Sequence, residues 1–185
     1  MDSVKTLNYS VFMKTLEEQM SFYAAYHRDA RNKTTHFIGV PVIMLAILIP
    51  LSWLRLEVAG FELTVAMVLG AAVLAYYFLL DVPLALAMLV IIAGLISLAE
   101  RLAPGASAEG WAWFGALFVG GWILQLVGHA FEGRKPALAD NLFQIFVAPI
   151  FLAAEVFFAL GYKPDLHQRI KSGSASPRRQ SPARS

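Results

Sequence analysis

From residue 36 onward the chain alternates apolar stretches of about twenty residues with short polar breaks, a length that matches helices crossing a hydrocarbon layer. Four runs reach that length, 36–54, 61–80, 82–102 and 111–131. Trp53, Trp111 and Trp113 fall near their ends, where amphipathic rings sit at a membrane interface. The break Asp81-Val82-Pro83 is so short that the second and third runs form a tight hairpin, and Ala103-Pro104-Gly105-Ala106-Ser107 is a turn-rich connector. Ahead of the first run, Phe12, Leu16, Met20, Tyr23 and Tyr26 recur at spacings of three and four, opposite Lys14, Glu17, Glu18 and Gln19. That is an amphipathic helix. No apolar segment of signal-peptide type precedes it.

A fifth apolar run, 142–162, is divided by Pro149 and carries Glu155. Charge decides how to place it. With a cytoplasmic N-terminus and four full spans, thirteen of the fifteen Lys and Arg residues lie inside, leaving only Arg55 and Arg101 outside. A fifth crossing would move the six basic residues after Gly161 outward. Residues 142–162 therefore read as a re-entrant or interfacial helical pair, and the Ser/Pro/Arg-rich end is expected to be disordered from about residue 172. The expected organisation is an N-terminal amphipathic helix with a His-containing loop (1–35), a membrane domain (36–162) and a cytoplasmic tail (163–185). The fold class is an all-α integral membrane protein with four transmembrane helices.

Composition supports that class, with 58% hydrophobic and 15% charged residues and a mean hydropathy of +0.59. Zero cysteines exclude disulfides, thiolate catalysis and cysteine-ligated zinc or iron–sulfur centres, so any metal is held by His, carboxylate or water. The basic residues suit membrane polarity and not nucleic acid.

Against this background two polar clusters at span ends stand out, 26–36 and 128–138, which carry three of the four histidines. Imidazole is the commonest metal ligand, and polar side chains near lipid are costly without a shared purpose. The charge-derived topology places His27, His36 and His129 on one membrane face. Nine residues separate His27 from His36, about 900° of helical rotation, so one continuous helix would point them in opposite directions. A break between them is required, and Asn32 is a candidate for it. His129 and Glu132 share a helix face at i, i+3, and Glu132 is either a fourth ligand or a partner of Lys135. Pro136 ends that helix; Asp140, Asn141 and Gln144 are candidates for orienting the imidazoles through hydrogen bonds. His167 lies in a polar tail and reads as solvated. Gly115, Gly120, Gly121 and Gly128 suit close helix packing. Walker, GxGxxG and Ser/His/Asp patterns are not apparent.

The run His27-x4-Asn32-x3-His36-x2-Gly39-x-Pro41, then Trp122-Ile123-x-Gln125-x2-Gly128-His129-x2-Glu132-x3-Pro136-Ala137-Leu138-x-Asp140-Asn141-Leu142, then Pro149 and Glu155, resembles the Mpo-type 2-hydroxy fatty acid dioxygenases. The likeness covers about residues 9–164, and the second cluster is its specific part. It implies an Fe(II)-dependent enzyme that shortens a long-chain 2-hydroxy fatty acid by one carbon with O2, in the endoplasmic reticulum of fungi and the inner membrane of bacteria. It also implies His27, His36, His129 and Glu132 as the metal and catalytic residues, with membrane lipids around them and an oligomer left open. Two alternatives remain. A His-coordinated membrane hydroxylase or desaturase would need more than four histidines and the HxxxH and HxxHH boxes absent here, and a lipid-binding scaffold leaves the His clusters unexplained.

Overall fold

A computed structural model describes residues 15–133 and 143–175. Helix α1 (Leu16–Ala24) starts at a capping box in which the Thr15 side chain accepts from Glu18 N–H while Glu18 reaches back to Thr15 N–H. Helix α2 (Ala30–Trp53) follows after a short break and is capped by the Asp29 side chain accepting from Arg31 N–H. The break thus lies before Asp29, whereas the sequence pointed to Asn32. Asn32 sits in the first turn of α2, fully buried, and α2 runs straight through the expected domain boundary at 35/36.

The second expected span is shortened by a feature that hydropathy did not reveal. Strands β1 (Arg55–Val58) and β2 (Phe61–Thr64) pair antiparallel around Ala59 and Gly60, both at positive φ as a two-residue hairpin turn requires. Only Val65–Leu80 remains for helix α3, about 24 Å of rise against the roughly 30 Å hydrocarbon core. Helix α4 (Val82–Leu102) begins at Asp81, whose carboxylate caps Leu84 N–H, and α5 (Ala108–Glu132) begins at the Ser107 cap and ends on Gly133 at φ +68°. Among the described residues three helices, α2, α4 and α5, are long and apolar enough to cross a membrane. Leu79, Val90, Val119 and Leu126 stand outward on α3, α4 and α5, an apolar exterior suited to lipid.

Trp53 Nε1 donates to Ala103 O at 2.8 Å and its ring meets Trp111 at 5.0 Å, which joins the ends of α2 and α4 to the start of α5. Among the described residues the clustered histidines lie at the opposite end. There α6 (Gln144–Ala159) is one continuous helix with Pro149 inside it, where the sequence suggested a divided pair. Near its start Phe146 O accepts from Tyr77 OH; just past its end Tyr162 OH and Lys163 Nζ donate to Asp81. Phe146 and Ala159 are about 20 Å apart along α6, Tyr77 and Asp81 about 6 Å, so α6 runs across the end of α3 and not alongside it. Glu155 meets Lys33 in the first turn of α2 at 2.8 Å. Helix α7 (Pro164–Ala175) packs on α1 and continues past residue 172, where disorder was expected; 176–185 lie outside the described residues. His167 stacks on Phe158 (centroids 4.6 Å apart) and is partly buried.

Candidate metal centre

Helix α2 packs most extensively on α5, and glycine makes the approach close enough to matter. A Cβ on Gly128 would collide with Thr35 Oγ1 and Asn32 Oδ1 and come within 3.2 Å of His36 Nδ1. Its absence lets the end of α5 lie on the start of α2, which brings His129 beside His36. His27 arrives from the other side, on the α1–α2 break, held by a ring stack on Tyr23 (centroids 4.0 Å, planes 7° apart). The three rings form a closed triangle with centroids 4.6, 4.9 and 5.1 Å apart, all three side chains buried, and one nitrogen of each lies within 4.8 Å of the others.

The hydrogen bonds determine what these nitrogens are. His27 Nδ1 lies 2.8 Å from Tyr23 O and His36 Nδ1 lies 2.9 Å from Asn32 O. A carbonyl oxygen only accepts, so each Nδ1 carries the proton and each neutral ring turns a lone pair out through Nε2. Those two Nε2 atoms face each other at 3.2 Å. Two acceptors cannot bond one another. Burial pushes His27 down to about pH 3 for protonation, outweighing the Tyr23 carbonyl, with His36, His129 and Lys33 adding to the depression, so an imidazolium does not resolve the conflict. A cation between the rings would: ligand nitrogens at about 2.0–2.1 Å from one ion stand close to this separation. His129 Nδ1 is likewise buried without a partner. The donor set, three neutral imidazoles with both defined Nδ1 protons anchored on backbone, fits a first-row divalent metal that keeps open positions.

Glu132 is placed differently from the ligand role expected of it. Its carboxylate accepts from the N–H groups of Arg28 (3.0 Å) and Asp29 (2.8 Å) and from Asn32 Nδ2 (3.0 Å). It therefore fastens the α1–α2 break, and with it His27, to the end of α5. Its other expected partner, Lys135, lies outside the described residues, as do Asp140 and Asn141. The backbone oxygen of Asn32, expected at the helix break, lies 2.9 Å from His36 Nδ1. Gln144 makes no hydrogen bond to any histidine; both of its side-chain polar atoms are buried and unpartnered. The sequence placed Tyr23 only on the apolar face of the first helix, although its spacing of four from His27 was a usable signal of a part in the site.

One face of the triangle opens into a slot between α2, α5 and α6, with an interior of about 100 Å³. That is several times the roughly 10–15 Å³ a single water needs. Val40, Ile43, Met44 and Ile47 of α2 and Trp122 of α5 give it an apolar wall, while Gln125 and Gln144 join the histidines as its polar lining.

Comparison with known proteins gives the family. The family model described as 2-hydroxy-palmitic acid dioxygenase Mpo1-like matches residues 13–160. The 2-hydroxy-palmitic acid dioxygenase MPO1 of Saccharomyces cerevisiae (strain ATCC 204508 / S288c) is 34% identical over 160 residues, covering 84% of this chain and 87% of the yeast protein. No solved structure matches this chain significantly. The matched stretch contains all three converging histidines, Glu132 and both glutamines, and this chain belongs to the Mpo1-like family.

Proposed function

We propose that this protein is an Fe(II)-dependent dioxygenase that removes one carbon from long-chain 2-hydroxy fatty acids within a membrane. The observation that carries the reading is the pair of converging Nε2 lone pairs at the polar end of an apolar slot. Its substrate class is taken from the name of the yeast relative.

His27, His36 and His129 would hold the iron, which supplies the redox chemistry between O2 and the substrate. The reaction balances without an outside reductant: 2-hydroxy acid and O2 give the acid one carbon shorter, CO2 and water. The protein's part is positional. Tyr23 O and Asn32 O lock the tautomers of His27 and His36, so neither ring can turn its Nε2 away. Glu132 holds the loop that carries His27. From His36 to Ile47 the wall of α2 runs about 16 Å, against which an acyl tail displaces water and sets its head group beside the histidines. The charge distribution supports a site on the cytoplasmic side, of the inner membrane if the host is bacterial. Single cysteines at Ser172 and Ser107 should then label from opposite sides, and labelling of both from one side would sink this orientation.

Purified protein loaded with Fe(II) is incubated with 2-hydroxy-palmitic acid and O2, without 2-oxoglutarate or NADPH. Mass spectrometry should find the acid one carbon shorter, and no change in palmitic or 3-hydroxy-palmitic acid. A product of unchanged length, or a need for an external reductant, would assign the protein to the hydroxylase class. No turnover of any fatty acid would leave a lipid-binding scaffold.

A further inference from the structure

Beyond the histidines, the slot holds polar atoms that the fold itself does not satisfy. Gln144 is 2% exposed with neither Oε1 nor Nε2 partnered, and Gln125 is 6% exposed with Nε2 unpartnered. Both line the slot. Gln125 is fixed there by packing, since its amide lies where a Cβ on Gly39 would come within 2.8 Å. Buried amides without partners are costly, and in native proteins they mark a place where something else supplies the bond. What these two lack is one proton donor for Gln144 Oε1 and acceptors for two amide N–H groups. An α-hydroxy carboxylate carries that complement: one hydroxyl proton and carboxylate oxygens, on a chain whose tail suits the apolar wall.

We propose that Gln144 and Gln125 read the head group of the substrate, an inference that rests on the function proposed above. Gln144 Oε1 accepts a hydrogen bond from the 2-hydroxyl and Gln144 Nε2 donates to the carboxylate; Gln125 Nε2 donates to the other carboxylate oxygen. A fatty acid without the hydroxyl leaves Gln144 Oε1 without that partner, and a site built around a hydroxyl rejects analogues that lack it. Gln144 is thus the specificity-determining residue for the 2-hydroxyl, and Gln125 holds the acid group common to both.

The test is equilibrium binding of 2-hydroxy-palmitic acid and of palmitic acid to the full chain in lipid nanodiscs, loaded with Fe(II) and kept free of O2. Wild type, Gln144→Met and Gln125→Met are compared. Wild type should prefer the hydroxy acid. Gln144→Met should shrink that preference about ten- to a hundredfold, whereas Gln125→Met should weaken both acids by a similar factor. Iron content should stay at the wild-type level in both variants. Ligand-free thermal unfolding of Gln144→Met should occur at or above the wild-type temperature, because an apolar side chain replaces an unsatisfied one. Retention of the full preference in Gln144→Met, as when the amide binds only water, would overturn the inference and leave the proposed function standing. Loss of iron or a lowered unfolding temperature in that variant would also overturn it by showing a structural role. No preference in the wild type would remove the proposed function and this inference together.

Discussion

His27 Nε2 and His36 Nε2 face one another at 3.2 Å while Tyr23 O and Asn32 O hold the proton of each ring on the far nitrogen. The protein thereby holds two lone pairs in opposition, an arrangement that a bound metal would satisfy. Replacing His27, His36 or His129 with Ala should bring bound iron below stoichiometric occupancy, measured by elemental analysis. His167→Ala should keep full occupancy, because that ring stacks on Phe158 away from the triangle. Full iron in His27→Ala would remove His27 from the ligand set.

Glu132 distinguishes two ways of serving the site. As the clamp on Arg28 and Asp29, its loss loosens His27 without deleting a ligand. Glu132→Ala should weaken metal affinity by about 10- to 100-fold, the usual effect of removing support behind a ligand. Glu132→Gln, which keeps one acceptor oxygen, should recover part of it. A complete loss of metal in Glu132→Gln would instead mark a direct ligand.

The contact at Gly128 gives a steric test. Gly128→Ala forces a methyl group into Thr35, Asn32 and His36 and should cost about 1–3 kcal/mol, together with reduced iron occupancy. Gly120→Ala, with nothing within 4 Å of the new Cβ, should be neutral or stabilising by helix propensity. Equal thermal shifts for the two would contradict the close approach of α2 and α5.

Lys163 ties the chain after α6 to the buried Asp81, and its hydrogen bond to that carboxylate raises its proton affinity above the ordinary lysine value. The folded-state pKa is the higher one, so this contribution is complete below about pH 10.4 and fades as pH rises through the raised value. Wild type should lose stability across that alkaline window more steeply than Lys163→Met. Parallel curves in denaturant titrations at several alkaline pH values would show the pair to be unimportant.

Length, hydropathy and residue spacing made much of this protein legible in one dimension. The apolar runs announced α2, α4 and α5, the spacing of three and four announced α1, and the two polar clusters singled out the three histidines that converge. Such features repeat along the chain at the helical period or sit at the ends of runs, so local reading finds them. Contacts between distant segments leave no such trace. Glu132 meets Arg28 across 104 positions, and only the packing of α5 on α2 turned an i, i+3 neighbour of His129 into the clamp on His27. The break fell before Asp29 and not at Asn32, because the Asp29 cap and the half-buried Asn32–Glu132 contact make Asn32 a helical residue. A hydropathy window merged β2 with α3, since Phe61 and Leu63 are as apolar as a span and only the Ala59-Gly60 turn separates them from β1. Hydropathy could not tell a crossing from a lid either. It was the paired anchors Tyr77–Phe146 and Asp81–Tyr162 that laid α6 across the end of the bundle, where Gln144 faces the histidines, because orientation depends on which distant side chains a helix meets at each of its ends.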